Sequence, residues 1–451
     1  MNTLLKIAGI AVIASGSMAA LAADKLDGRW DAQLVRGDNV IPFRLDLSGS
    51  GPTLKGTLYD GFRPYEGTTS ASFKDGQLTL DIEHYLTTIT AKLEGDKLVG
   101  NVVAQNRENR ADYQFVAVRH VDVPAGTNAP AIAGSWEIPL DAPSSKGEKS
   151  FRLIVDQKGA EVAASILRVD GDTGAYSGTF KDGKWVLSHF DGSRPGVIVV
   201  TPTNDGTLEI QQRVERVRPA AEEKGTENAY RESAPDGRYS AKLVAYRTEV
   251  ARAKGFPEPA NYLTHTTARD PNETFSFNFP DVNGKAVSSE DPAFKGKVVL
   301  AIVTGTWCPN CHDEAQYLVE LDKKYRDKGL AIVALDFEEA EQQGSLARVH
   351  AFTKQYGVKY PYLIAGAPAE MWEKVPQLVN LNTWPATVFV GRDGKVRAVH
   401  AGFASPASGP FHAQLKKEFT ERIEQLLAEK APAQLTSTTD ADASALVADA
   451  R

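Results

Sequence analysis

Cysteine is the scarcest residue in this chain of 451: there are two, Cys308 and Cys311, three positions apart. Two are too few for a disulfide scaffold, which joins several distant segments. Structural zinc asks for four ligands, and no second cysteine pair exists to supply them. A staple between such near neighbours would also be weak. In the chain-entropy model a four-residue loop contributes about 2 kcal/mol, against roughly 4.7 for a hundred-residue loop. Position therefore favours chemistry over stapling.

Long apolar runs are missing too, and no segment reaches the length of a membrane-spanning helix. The nearest candidate is IAGIAVIA from Ile7, preceded by Lys6 and followed by Ala20-Leu21-Ala22. That pattern reads as a secretory signal peptide over residues 1–22, cut after Ala22; an uncleaved anchor is the alternative. No cysteine lies beside the cut, so no lipid anchor is expected there. The expected location is a bacterial periplasm or an equivalent space, with the mature chain soluble.

Excess positive charge is the third absence. The net charge is −7, and the leader takes away one Lys and no acid. A mildly acidic chain without concentrated Lys and Arg argues against a nucleic-acid partner. The apolar fraction of 42% is ordinary, so each of two to four domains can bury a core.

What is present divides in two. Over residues 24–218, short alternating runs such as RWDAQLV, IPFRLDL, QLTLDI and TTITAKLE recur about every ten residues, separated by turn signals such as Asp75-Gly76. About eight strands per hundred residues predict a small antiparallel barrel or sandwich. The pattern then returns. Gly28-Arg29-Trp30 is echoed by Gly134-Ser135-Trp136, Phe43-Arg44-Leu45 by Phe151-Arg152-Leu153, and Phe73-Lys74-Asp75-Gly76 by Phe180-Lys181-Asp182-Gly183. The offsets, 106, 108 and 107, predict a duplicated β unit, 24–122 and 130–218, with Trp30 and Trp136 as core anchors.

Residues 219–273 read as a polar connector followed by a helix, on the helical spacing of Leu243, Tyr246 and Val250 before Gly255 and Pro257. Over 274–429 strand and helix alternate: a hairpin turning at Asn283-Gly284, the buried strand VVLAIVTG, a helix from Pro309 to Lys328, LAIVALDF, a helix from Glu341 to Tyr356, YPYLIA, ATVFVG, KVRAVHAG and a helix from Pro410 to Glu429. This predicts a three-layer α/β domain. Residues 430–451 lack a core pattern and read as a disordered tail.

The cysteines fall where the buried strand ends and the helix begins. Pro309 suits the first helical turn, where a missing N–H is no loss. Cys308 then faces the unpaired amides of the helix end, which with the dipole favour a thiolate. Cys311, one turn in, can attack a mixed disulfide from within. The expected division is Cys308 as nucleophile and Cys311 as resolving thiol, forming a reversible disulfide.

Trp307-Cys308-Pro309-Asn310-Cys311 at this junction, with Thr383-Trp384-Pro385-Ala386-Thr387 opening a later strand, resembles the thioredoxin fold. Over about residues 270–430 it is most similar to the TlpA/ResA-type periplasmic thiol–disulfide oxidoreductases. The resemblance implies that Pro385 is a cis-proline opposite the dithiol, that Trp384 faces substrate beside Trp307, and that Glu314 relays the proton of Cys311. It also implies protein disulfides as substrates, a membrane electron donor of the DsbD/CcdA type, and no cofactor beyond the cysteine pair. Departures from the pattern are Ile302 where thioredoxins place a buried aspartate, the bulky Trp384, and Ala315-Gln316 where a proline often follows the glutamate.

The overall expectation is a multidomain protein, an all-β duplicated barrel or sandwich region followed by a thioredoxin-like α/β domain, acting as a disulfide reductase. Two competitors remain at this point. Thr304 and Thr306 ahead of Cys308 suit a peroxiredoxin-like thiol peroxidase, and two thiolates with His312 suit a non-enzymatic copper- or partner-binding protein. Taken alone, His312 reads as an exposed helix residue, and Glu314 fits a solvated first-turn acid as readily as a proton relay.

Overall fold

The computed structural model describes residues 26–430 apart from 107–108, 123–127, 173, 215–230 and 234–238. The expected leader, most of the polar connector and the tail beyond 430 lie outside the described residues.

The first β unit is a nine-strand meander from Gly28–Arg36 to Asn109–Arg119, and its first and last strands pair with each other. Alternation supplies the barrel interior: Trp30, Ala32 and Leu34 point inward from one strand, and Leu78, Leu80 and Ile82 from another. The sequence pattern missed one strand, Arg63–Gly67 (RPYEG), whose Pro and charges disguise it. Such residues are tolerated because this strand is an edge, ending the ladder at a seam against Ser70–Lys74.

The second unit closes completely. Its ladder runs through Gly134–Pro139, Ser150–Lys158, Glu161–Arg168, Tyr176–Lys181, Lys184–His189, Gly196–Pro202 and Leu208–Val214 to Tyr239–Arg247, which pairs back onto Gly134–Pro139. That last strand corrects the expected helix over this stretch; helix is confined to Thr248–Ala253. The strand prevails because a barrel lacking it would leave two edges unpaired. Of the presumed helical stripe only Leu243 is buried; Ala245, two positions on, joins it in the core, and Val250 is exposed. The second unit therefore extends beyond 218 into the stretch read as linker.

The two barrels share one corner. Trp30 Nε1 donates to the Leu26 carbonyl at 2.9 Å, and Trp136 Nε1 to Ile132 at 2.9 Å. Arg119, opposite Trp30 in the ladder, stacks 4.1 Å from its ring and donates to the Asp27 carbonyl. Arg247, opposite Trp136, stacks at 4.0 Å and donates to Ala133. Gly28 and Gly134 take φ of 115° and 112°, which other residues resist, and a Cβ at either would press on that arginine at 3.1 Å.

From Val298 to Ala428 the chain forms a five-stranded sheet in the order Tyr362–Gly366, Leu330–Phe337, Val298–Thr304, Ala386–Val390, Val396–Ala401, the first three parallel and the last two antiparallel. The central strand VVLAIVT is buried throughout, as a strand covered on both faces must be. Helices Pro309–Tyr325, Ala347–Tyr356 and Pro410–Ala428 contribute to the core on one face; the hairpin Asn278–Pro280 with Ala286–Ser288 packs on the other. The helix expected from Glu341 breaks into Ala340–Gln343 and Ala347–Tyr356, with Leu346 left-handed between them.

The three bodies pack together. Ile154 and Leu167, on strands of the second barrel, join the helix-side core of the C-terminal domain. Phe190 and Val197 of the second barrel join the core of the first.

Candidate active site at the dithiol

Strand Val298–Thr304 delivers the chain into the loop Gly305–Trp307, and helix Pro309–Tyr325 begins with Cys308 as its N-cap. The loop is pinned from below. Thr306 Oγ1 bonds the buried Glu338 carboxylate and accepts from Arg348 Nε at 3.1 Å, while Arg348 also pairs with Glu338 and Glu339. Trp307 Nε1 donates to the Phe337 carbonyl at 2.9 Å, and its ring meets Trp384 edge-on at 5.2 Å.

Across from the helix end the Trp384–Pro385 peptide bond is cis. Cys308 Sγ lies 3.5 Å from the Trp384 carbonyl oxygen, so four of the expected site residues, Trp307, Cys308, Trp384 and Pro385, do meet. Cys311 sits behind them, within hydrogen-bond reach of Cys308. Burial and then Cys308 push its thiol well above the ordinary range, against the pull of Thr304 and the Gly305 amide. A thiol held protonated in this way needs a base before it can attack.

Glu314 lies one turn further along the helix and is fully buried rather than solvated. Its Oε1 accepts from Thr387 Oγ1 at 2.5 Å, and its Oε2 has no hydrogen-bond partner among the described residues. Burial pushes its pKa up to about 8, only partly offset by the Thr387 bond. A carboxyl poised there can take a proton and return it near neutral pH.

His312 is buried, correcting the expectation of an exposed residue. Nε2 contacts the Thr306 carbonyl at 2.6 Å, Nδ1 contacts the Tyr356 hydroxyl at 2.9 Å, and the rings of Tyr85 and Phe352 enclose it. Burial, then neighbouring His84, hold its pKa well below the ordinary range, so it is neutral. Its partners account for both ring nitrogens. No cluster of three metal-ligating side chains occurs among the described residues. Thr306, weighed as a peroxidatic residue, likewise has its hydroxyl committed to Glu338 and Arg348.

Sequence reasoning overlooked Asp313, between His312 and Glu314. Both barrels reach it: Tyr65 of the first donates to Oδ1 at 2.9 Å, and Arg194 of the second pairs with Oδ2 at 3.3 Å. The partners move unexpectedly. Arg194 rises, as a paired cation should, yet burial pushes Asp313 up to about 7 despite that pairing. Arg194 makes its closer pair with Asp191, which Arg194 and His189 hold well below the carboxylate range in spite of burial. The burial of Asp313 is left only partly compensated. Arg194 and Tyr65 stand 119 and 248 positions from Asp313, beyond the reach of any spacing rule.

Residues 268–412 match the Redoxin family model. The thiol-disulfide oxidoreductase ResA of Bacillus thuringiensis is 34% identical over 124 residues, 28% of this chain and 65% of that protein. The thioredoxin-like protein YneN of Bacillus subtilis is 34% identical over 128 residues, 27% of this chain and 69% of that protein. This chain thus spans just under two thirds of the ResA length. Among solved structures, a thiol:disulfide interchange protein from Chlorobium tepidum is 23% identical, with a TM-score of 0.27, covering 36% of this chain and 99% of its own.

Proposed function

The chain belongs, through its C-terminal domain, to the ResA-like thioredoxin family, and from that premise we propose that it is an exported, periplasmic thiol–disulfide oxidoreductase working as a reductase. The observation that carries this reading is the placement of Cys308 at a helix N-cap, facing Trp384-Pro385, with Cys311 one turn behind it. The Cys308 thiolate attacks one sulfur of a substrate disulfide; that S–S bond breaks, and the departing thiolate takes a proton. Glu314, ionised, takes the proton of Cys311. Cys311 then attacks Cys308 Sγ, forming the Cys308–Cys311 disulfide and releasing the second substrate thiolate. The substrate gains two electrons and the dithiol loses them. A membrane donor of the DsbD/CcdA type would return the pair to the dithiol state. Signal-peptide removal after Ala22 belongs to the same reading, as does a duplication relating the two β units, supported by their shared Trp–Gly–Arg corner.

Cells carrying Cys311→Ser should accumulate mixed disulfides between Cys308 and substrate proteins, visible on non-reducing gels and absent in Cys308→Ser. A Cys308 that reacts far faster with hydrogen peroxide than with any protein disulfide would instead make the protein a thiol peroxidase. Glu314→Gln should slow the resolving step at neutral pH by about a hundredfold or more, the typical share for acid–base assistance.

A further inference from the structure

Cys308 is only 3% exposed, although a disulfide must approach its sulfur in line. Part of what lies over the dithiol's surroundings comes from outside the thioredoxin-like domain: the segment Val169–Asp172 of the second barrel. The Asp170 carbonyl accepts from Asn310 Nδ2, inside the CPNC motif, at 2.8 Å, and from the Phe403 amide at 3.4 Å. Gly171 makes a parallel β-bridge with Phe403. A Cβ on Gly171 would stand 2.3 Å from the Phe403 oxygen and 2.9 Å from Asn310 Nδ2, so only bare backbone fits. Phe403 follows Gly402, whose amide donates to the Pro385 carbonyl. The segment thus lies across the motif and the loop beside the cis-proline.

Its ends are fastened. The buried Asp172 carboxylate accepts from the Ser405 amide at 2.7 Å, Ser405 Oγ at 2.9 Å and Ser408 Oγ at 2.5 Å. Lys146 pairs with Asp170 at 2.8 Å and donates to the Asn382 carbonyl, two positions before Trp384.

We propose that Val169–Asp172 is an intramolecular strap across the substrate approach, latched by Asp172 on Ser405 and Ser408, and that it must lift before a protein disulfide reaches Cys308. The proposal rests on the oxidoreductase reading but can fail separately from it. Lifting exchanges hydrogen bonds for others and needs no oxidant or reductant.

The test uses the full-length reduced protein. Iodoacetamide labelling of Cys308, located by mass mapping, reports access to the sulfur, and insulin disulfide reduction reports the reaction. Asp172→Ala should speed labelling of Cys308 at least tenfold with the melting temperature of the thioredoxin-like domain retained. Ser405→Ala with Ser408→Ala weakens the same latch from the other side, and serves if Asp172→Ala does not fold. Labelling unchanged in a folded latch variant overturns the strap. Faster labelling without insulin reduction in any variant upholds the strap and overturns the oxidoreductase reading.

Discussion

The two β units make the same corner and then part company. Each seats a tryptophan under an arginine from its closing strand, beside a glycine no other residue would suit. Away from that corner the first barrel has a seam and the second closes without one. Their loops diverge further. The first sends Tyr65, His84 and Tyr85 to the flank of the dithiol helix. The second sends Arg194 to Asp313 on that helix and Val169–Asp172 to Asn310 at its start. The lesson is a division between frame and loop: common residues hold each barrel shut, while residues that differ bring it to the site.

The largest test of the common frame is loss of its tryptophans. Trp30→Ala and Trp136→Ala should each cost about 3–5 kcal/mol, the range for a large aromatic removed from a core. Hydrogen exchange during urea unfolding would assign each loss to its own barrel. Unequal effects, or a loss that spreads evenly over both, would break the equivalence of the corners.

The next test sharpens the difference between loops. Arg194→Met leaves Asp313, and the closer-paired Asp191 with it, buried without a cation, and should cost at least about 2–3 kcal/mol at neutral pH, as loss of a hydrogen-bonded charge pair does. Tyr65→Phe removes one hydrogen bond to the same carboxyl and should cost about 1–1.5 kcal/mol. The pH dependence distinguishes them further. Asp313 has its folded pKa raised from 3.8 to about 7, so its contribution is complete below the unfolded value and is lost as pH rises toward 7. Without Arg194 that pKa rises further, and the loss should extend to higher pH in urea titrations. A decline confined to the wild-type window would mean that Arg194 has no hold on Asp313.

Local pattern made part of this legible. The buried strand Val298–Thr304, the proline after Cys308 and the stripe Ala315, Leu318, Leu321, Tyr325 carry their structure in their own spacing, and strand and helix lie there. What escaped depends on distant chain. His312 reads as exposed, and Glu314 as a solvated acid as readily as a relay, because a first helical turn normally faces solvent; packing by Tyr85 and Thr387, from elsewhere in the sequence, buries both. The strand Tyr239–Arg247 read as helix because Leu243, Tyr246 and Val250 satisfy a helical period, and only closure onto Gly134–Pro139 decides otherwise.

That closing strand also sets the last test, on the arginine corner. If Tyr239–Arg247 is the counterpart of Asn109–Arg119, then Arg119→Ala and Arg247→Ala should cost nearly the same. Each arginine stacks on a tryptophan, worth roughly 0.5–1 kcal/mol at an exposed site, and caps a carbonyl for about another 0.5–1. The sum, about 1–2 kcal/mol, should agree between barrels to within about 0.5 kcal/mol, with Arg247 slightly ahead because it also reaches the Ala131 carbonyl at 3.3 Å. Arg→Lys should recover little, since an ammonium reproduces neither the planar stack nor the second donor. A barrel indifferent to Arg247 while the other responds to Arg119 would mean that the second barrel does not depend on Tyr239–Arg247 for closure.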